Sequence, residues 1–178
     1  VVDILVDDEA EAVRVAKQYL SYFQGSVDTW EAPDQRKLRH VVPENRLRLY
    51  DMREIIATVA DIDSVLEVRA GFGVGVITCF IRVEGRPMGV IANNPHHLAG
   101  AIDSDAADKG TRFIQLCDAF DIPILSLMDC PGMMVGPDVE ATALVRHCVR
   151  MFNAGANLTT PLFGCLLYTS PSPRDKSS

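Results

Sequence analysis

The sequence of 178 residues contains no apolar run near the roughly 18 residues needed to cross a bilayer. It does not open on a basic, apolar leader: Val1-Val2-Asp3-Ile4-Leu5-Val6 is short and carries an acid. Nor does it open on Met, so it reads as a chain whose natural start lies upstream. Positive charge is scarce, with 17 Lys and Arg against 24 Asp and Glu and a formal net charge of -7. That excludes an ordinary phosphate-backbone binder, whose affinity comes from clustered cations. The one basic run, Arg36-Lys37-Leu38-Arg39-His40, is short and reads as a solvated face. The cysteines Cys79, Cys117, Cys130, Cys148 and Cys165 form no Cys-x-x-Cys pair and no regular framework. They read as small buried residues of a reducing compartment, which places the expected protein in the cytoplasm.

Nearly half of the residues are apolar (48%) and 23% are charged, the composition of a globular chain with a real core. Helical spacing runs from Glu9 to Phe23, with Ala12, Val15, Ala16, Tyr19, Leu20 and Phe23 on one face and Gly25 as its stop. Ser26 to Pro43 is polar and irregular and reads as a linker. A short helix is expected over Met52 to Ala60, with Asp51 as its N-cap. Strand signals follow over Val65 to Arg69, Val74 to Val83 and Met88 to Ala92, with a turn at Gly85-Arg86-Pro87. A helix from Asp103 to about Phe120, a strand over Ile122 to Met128, a helix from about Asp138 to Asn153 and a strand from near Leu162 complete the order. Strands alternating with helices predict parallel pairing through right-handed crossovers.

Two loops carry the chemistry. Asp129-Cys130-Pro131-Gly132-Met133-Met134-Val135-Gly136 leaves a strand and feeds a helix. Backbone amides after such a turn can point together at an oxyanion, and Gly132 removes the Cβ that would stand in the way. Asn93-Asn94-Pro95-His96-His97-Leu98-Ala99-Gly100 follows the preceding strand, on the side where open α/β sheets place ligands. His96 and His97 are adjacent and have no third ligand at a characteristic spacing, so no metal is expected. Asp103, Asp105 and Asp108 depart from a calcium loop in order and terminal residue and read as helix-capping acids. Gly71-Phe72-Gly73-Val74-Gly75 lacks dinucleotide spacing. His147-Cys148 lies on a helix with no obvious orienting acid and is not read as a nucleophilic pair.

In order and spacing these segments resemble the carboxyltransferase (beta-type) components of biotin-dependent acetyl-, propionyl- and methylcrotonyl-CoA carboxylases. The resemblance runs from about Tyr19 through Phe163. It rests on Tyr19-Leu20-Ser21-Tyr22-Phe23, Pro43-Glu44-Asn45-Arg46, Tyr50-Asp51-Met52-Arg53, Gly85-Arg86-Pro87-Met88-Gly89-Val90, Ala92-Asn93-Asn94-Pro95 and Gly100-Ala101-Ile102-Asp103. Lys109-Gly110-Thr111-Arg112-Phe113, Cys117-Asp118-Ala119-Phe120, Asp129-Cys130-Pro131-Gly132 and His147 complete it. The family implies an α/β crotonase-like fold built twice, one half gripping acyl-CoA and the other carboxybiotin. On that pattern residues 1–24 end the first half, 25–42 form a linker and 43–163 begin the second.

The resemblance implies carboxyl transfer from carboxybiotin to an acyl-CoA without a protein nucleophile or a metal in this segment. Gly132 and Met133 become the biotin-side oxyanion donors, and Asn93, Asn94, Pro95, Ala99, Gly100, Pro131 and Gly136 the substrate-binding residues. Met133 stands where the family usually has an aromatic residue. The implied partners are biotin carboxylase and biotin carboxyl carrier components and further carboxyltransferase copies. The alternatives are a decarboxylase of the same family, another crotonase-like hydratase or isomerase, and an inactive interaction module. Residues Cys165 to Asp175 match the translation of a transposon-based sequencing-library adapter, so 164–178 are expected to be an adapter-derived tail and the segment by itself inactive.

Overall fold

The computed structural model describes residues 2–43 and 49–167. The stretch Glu44-Asn45-Arg46 of the family resemblance, and residues 168–178 of the tail expected over 164–178, lie outside the described residues, whereas Gly164, Cys165 and Leu166 pair with Ser126, Leu127 and Met128 in the sheet. Five strands form one sheet in chain order: β1 (Leu66–Val68), β2 (Val76–Val83), β3 (Arg86–Asn93), β4 (Ile124–Met128) and β5 (Leu162–Leu166). The expectation of parallel pairing holds for half of the sheet: β1, β2 and β3 pair antiparallel, while β3, β4 and β5 pair parallel. The reason lies in the connections. Only a turn at Glu84 and Gly85, both with positive φ, joins β2 to β3, and such a turn reverses the chain. A parallel neighbour needs a crossover. It arises only where α4 (Ser104–Ala119) precedes β4 and α6 (Leu144–Ala156) precedes β5. The expected turn at Gly85-Arg86-Pro87 moves back accordingly, since Arg86 and Pro87 already pair with Val83 and Arg82.

Alternation along β2 sends Val76 and Phe80 to one face and Ile77, Cys79 and Ile81 to the other. Two cores result, which is why this inner strand is apolar almost throughout. On the first face lie α1 (Glu9–Ser21), α4 and part of α6. On the second lies α3 (Met52–Val59), which buries Met52, Ile55 and Ile56 and is capped by Asp51 accepting from the Arg53 amide at 2.9 Å. Of the face expected for the first helix, Val15 is buried and Tyr19 and Phe23 pack against the core, whereas Leu20 is exposed. Phe80 gathers Tyr22, Tyr19, Phe23 and Phe113 with ring centroids at 5.1–5.7 Å. Residues 9–23 therefore share one core with the sheet.

The stretch between them is also tied in. Val27 donates to Gly85 O and Ile62 to Glu31 O, and a short helix α2 (Leu38–Val41) packs Leu38 and Val41 toward α3. The single helix expected over Asp138 to Asn153 is corrected to two: α5 (Pro137–Glu140) and α6. Ala143, at φ +57, breaks it. Thr142 stabilises the break by donating to Val139 O at 2.7 Å and meeting the Ser104 hydroxyl at 2.6 Å. The turn lets Leu144 and Cys148 pack against Ala107 of α4.

Candidate functional site

The two loops singled out above emerge side by side, because β3 and β4 are parallel neighbours and both end at the same sheet edge. Asn93 fastens them together. Its side-chain amide donates to Gly100 O at 3.0 Å, and its oxygen accepts from the Asp129 amide at 3.3 Å. Gly100, at φ +83, lies so close to the carbonyl of Asp129 that a Cβ would strike it. Ile102 then forms an isolated parallel bridge to Met133: its amide donates to Gly132 O at 3.1 Å and its carbonyl accepts from Met134 at 3.1 Å. Tyr50 closes the group from the other face, its hydroxyl donating to the Asp129 carboxylate at 2.6 Å.

The expected site residues divide in role. Asn93 and Asn94 are buried, and their polar atoms are used within the protein: Asn94 donates to Val74 O at 2.8 Å and accepts from the His96 amide at 3.2 Å. They build the loop. Pro95 and Gly100 are buried beside them, while Ala99, Pro131, Gly132 and Met133 face solvent. Gly136, at φ +132, starts α5 and accepts from Val139 and Glu140 at 3.1 and 2.9 Å. Leu98 and Ala99 both hold left-handed backbone, at φ +48 and +51. Two such non-glycine residues in succession cost free energy and occur where the surroundings over-determine them.

The two expected oxyanion donors also differ. The Gly132 amide points at Cys130 Sγ at 3.3 Å, a weak acceptor. The Met133 amide makes no hydrogen bond among the described residues, because the bridge to Ile102 uses the groups on either side of it. Gly132 has φ +136, and no atom lies within 4 Å of where a Cβ would stand. Among the described residues this N–H is therefore free to donate outward, beside a residue without a side chain on an open surface.

Sequence reasoning missed His97. Its Nε2 meets Asp103 Oδ2 at 3.0 Å, while Asp103 Oδ1 accepts from the Ala106 amide at 2.8 Å and caps α4. One carboxylate thus joins the first loop to the helix. His147 likewise pairs with Asp108 across α4 and α6 at 2.8 Å. Ile102 and Tyr50 were missed as well. Tyr50 stands 79 residues from Asp129, and no local spacing signals that pair. Among the described residues no three His, Cys, Asp or Glu gather as a metal site, and no helix is long and apolar enough to cross a membrane.

A helix-covered mixed sheet with two clamped loops at the carboxyl ends of its parallel strands is the arrangement of a crotonase-like α/β enzyme. The chain belongs to the carboxyl transferase domain family, which matches residues 1–170. It is 35% identical over 175 residues to the propionyl-CoA carboxylase beta chain of Saccharopolyspora erythraea, covering 89% of this chain and 32% of that protein. To the methylmalonyl-CoA carboxyltransferase 12S subunit of Propionibacterium freudenreichii subsp. shermanii it is 34% identical over 169 residues, covering 90% and 32%. Among solved structures, a single-chain, multi-domain long-chain acyl-CoA carboxylase superposes with a TM-score of 0.91 at 55% identity, over 92% of this chain and 17% of that one. The chain spans about a third of the length of the curated relatives it matches.

Proposed function

We propose that this segment forms part of the carboxybiotin-side half-site of a biotin-dependent acyl-CoA carboxylase, which transfers a carboxyl group to an acyl-CoA. The observation that carries the reading is the Met133 amide, unpaired among the described residues, beside the open face of Gly132 in a loop held by Asn93 and Ile102. Membership of the carboxyl transferase family supports it. Carboxybiotin supplies the carboxyl group and a ureido nitrogen able to take the α-proton of the thioester. The chain's own part is to present the Met133 N–H to a ureido oxygen, with Gly132 leaving room for close approach. Catalysis of this kind works by positioning and by donors aimed at developing charge. The acid nearest the loop, Asp129, is occupied by the Tyr50 hydroxyl, which disfavours the acid–base role that a hydratase would need.

On this reading residues 1–24 close the acyl-CoA half, 25–42 connect the halves and 43–163 open the biotin half. The expected partners are biotin carboxylase and biotin carboxyl carrier components and other carboxyltransferase copies. A cytoplasmic setting agrees with five cysteines that are all unpaired.

The test uses a complete carboxylase carrying this segment. Gly132→Ala places a Cβ in the approach path at a φ that L residues rarely adopt. Carboxyl transfer is expected to fall about a hundredfold, as when one oxyanion donor is lost, with circular dichroism as the folding control. A folded variant with near-normal transfer would sink the assignment.

A further inference from the structure

Away from the two loops, a cavity of about 480 Å3 lies between α1, α4 and the β1–β2 edge of the sheet. Its volume is in the ordinary range for small-ligand sites. Ile4, Val6, Val15, Val68, Phe113 and Leu116 supply an apolar wall. Set into that wall is Lys109, whose residue is 1% exposed and which has no ion-pair or hydrogen-bond partner among the described residues. Burying an ammonium is costly, and the charge of Glu67 offsets that cost only in part. Two nearby acids are already engaged: Glu67 is held by Arg53 through two contacts of 2.8 Å, and Asp3 pairs with Arg69. Arg112 and the Tyr19 hydroxyl also line the cavity and likewise have no hydrogen-bond or ion-pair partner among the described residues.

We infer that this cavity binds a monocarboxylate with a hydrocarbon tail, its head held by Lys109, Arg112 and Tyr19 and its tail by the apolar wall. The inference does not depend on carboxyl transfer. A single anionic head answers the unpaired cations and donors. The other polar side chains of the lining are engaged, Asp3 with Arg69 and the Thr78 hydroxyl with Val68 O, and the apolar wall rewards burial of a tail at about 25 cal/mol per Å2. Burial, the largest cause, lowers the Lys109 ammonium to about 8; a bound carboxylate would favour its charged form and raise it again.

Octanoate titrated into the 178-residue chain by calorimetry tests this. One saturable site is expected, with octanol (the tail alone) and acetate (the head alone) each at least about tenfold weaker. Lys109→Met and Arg112→Gln should each weaken octanoate about ten- to a hundredfold, the range for a hydrogen bond to a charged group. Arg112 is exposed, so its variant remains informative if Lys109→Met fails to fold. Absence of binding overturns the inference. So does octanoate binding no better than octanol, or an Arg112→Gln variant that folds and binds octanoate like the parent.

Discussion

Single residues in this chain are held by unusual environments, and Lys109 and Cys117 show how pH reads them. The Lys109 ammonium is lowered from 10.5 to about 8, so between those values the unfolded chain binds more protons than the folded one, and stability rises with pH. Below about 8 the cost of the buried charge is fully present. Cys117 acts in the opposite sense: burial pushes its thiol up from 9.0 to about 12, so the folded state loses ground as pH rises above 9. Comparing the parent with Lys109→Met isolates the lysine. The variant is expected to be the more stable at neutral pH, with the gap closing as pH climbs from about 8 toward 10.5. Urea midpoints across that window measure it, and a gap that stays constant or widens would show that Lys109 is well solvated. Arg82 illustrates the opposite solution. It is buried too, yet its guanidinium donates to the carbonyls of Ser21, Gly25 and Gly85 and lies over the Tyr22 ring.

At the scale of elements, the site depends on how α4 and the strand ends are joined. Asp103 caps α4 and holds His97 with the same carboxylate, so Asp103→Ala is expected to cost about 1 kcal/mol for the cap. It should also free the first loop, read as faster amide exchange over residues 94–100. Exchange unchanged from the parent would mean that Asn94 and Gly100 suffice to hold that loop. Asn93→Ala strips partners from Gly100 O and the Asp129 amide at a buried position. A loss of about 1–3 kcal/mol is expected, since groups left unsatisfied in a core carry their desolvation cost. Chemical denaturation measures that loss. A near-neutral effect would return Asn93 to the role of a ligand contact that the sequence first implied.

For the whole molecule, Phe80 is the common point. It is fully buried on β2 and packs against Tyr19, Tyr22 and Phe23 near the start of the chain and Phe113 of α4. Phe80→Ala should cost about 3–5 kcal/mol. Because α1 and the sheet share that core, unfolding followed by tyrosine absorbance and by far-UV circular dichroism is expected to shift together. Separate transitions would show that residues 9–23 fold as an independent unit.

The sequence alone determined the elements and the loops. Apolar spacing marked α1 and α3, the acids from Asp103 marked the start of α4, alternating, β-branched and apolar runs marked the strands, and the glycines and prolines of residues 129–136 marked a turn built for backbone contacts. These are local signals, written within one or two turns of chain. The tertiary structure decided the rest, because the partners stand far apart in sequence. A short connection at Glu84 and Gly85 made half of the sheet antiparallel. Leu144 packing against α4 accompanied the break in the helix expected after residue 137. Asn93 and Asn94, which the family resemblance implied as substrate-binding residues, spend their side-chain amides on the loops, since buried polar groups need partners within the protein. The Gly132 amide turns to Cys130 Sγ, while the bridge to Ile102, which no spacing could announce, uses the groups on either side of the Met133 amide.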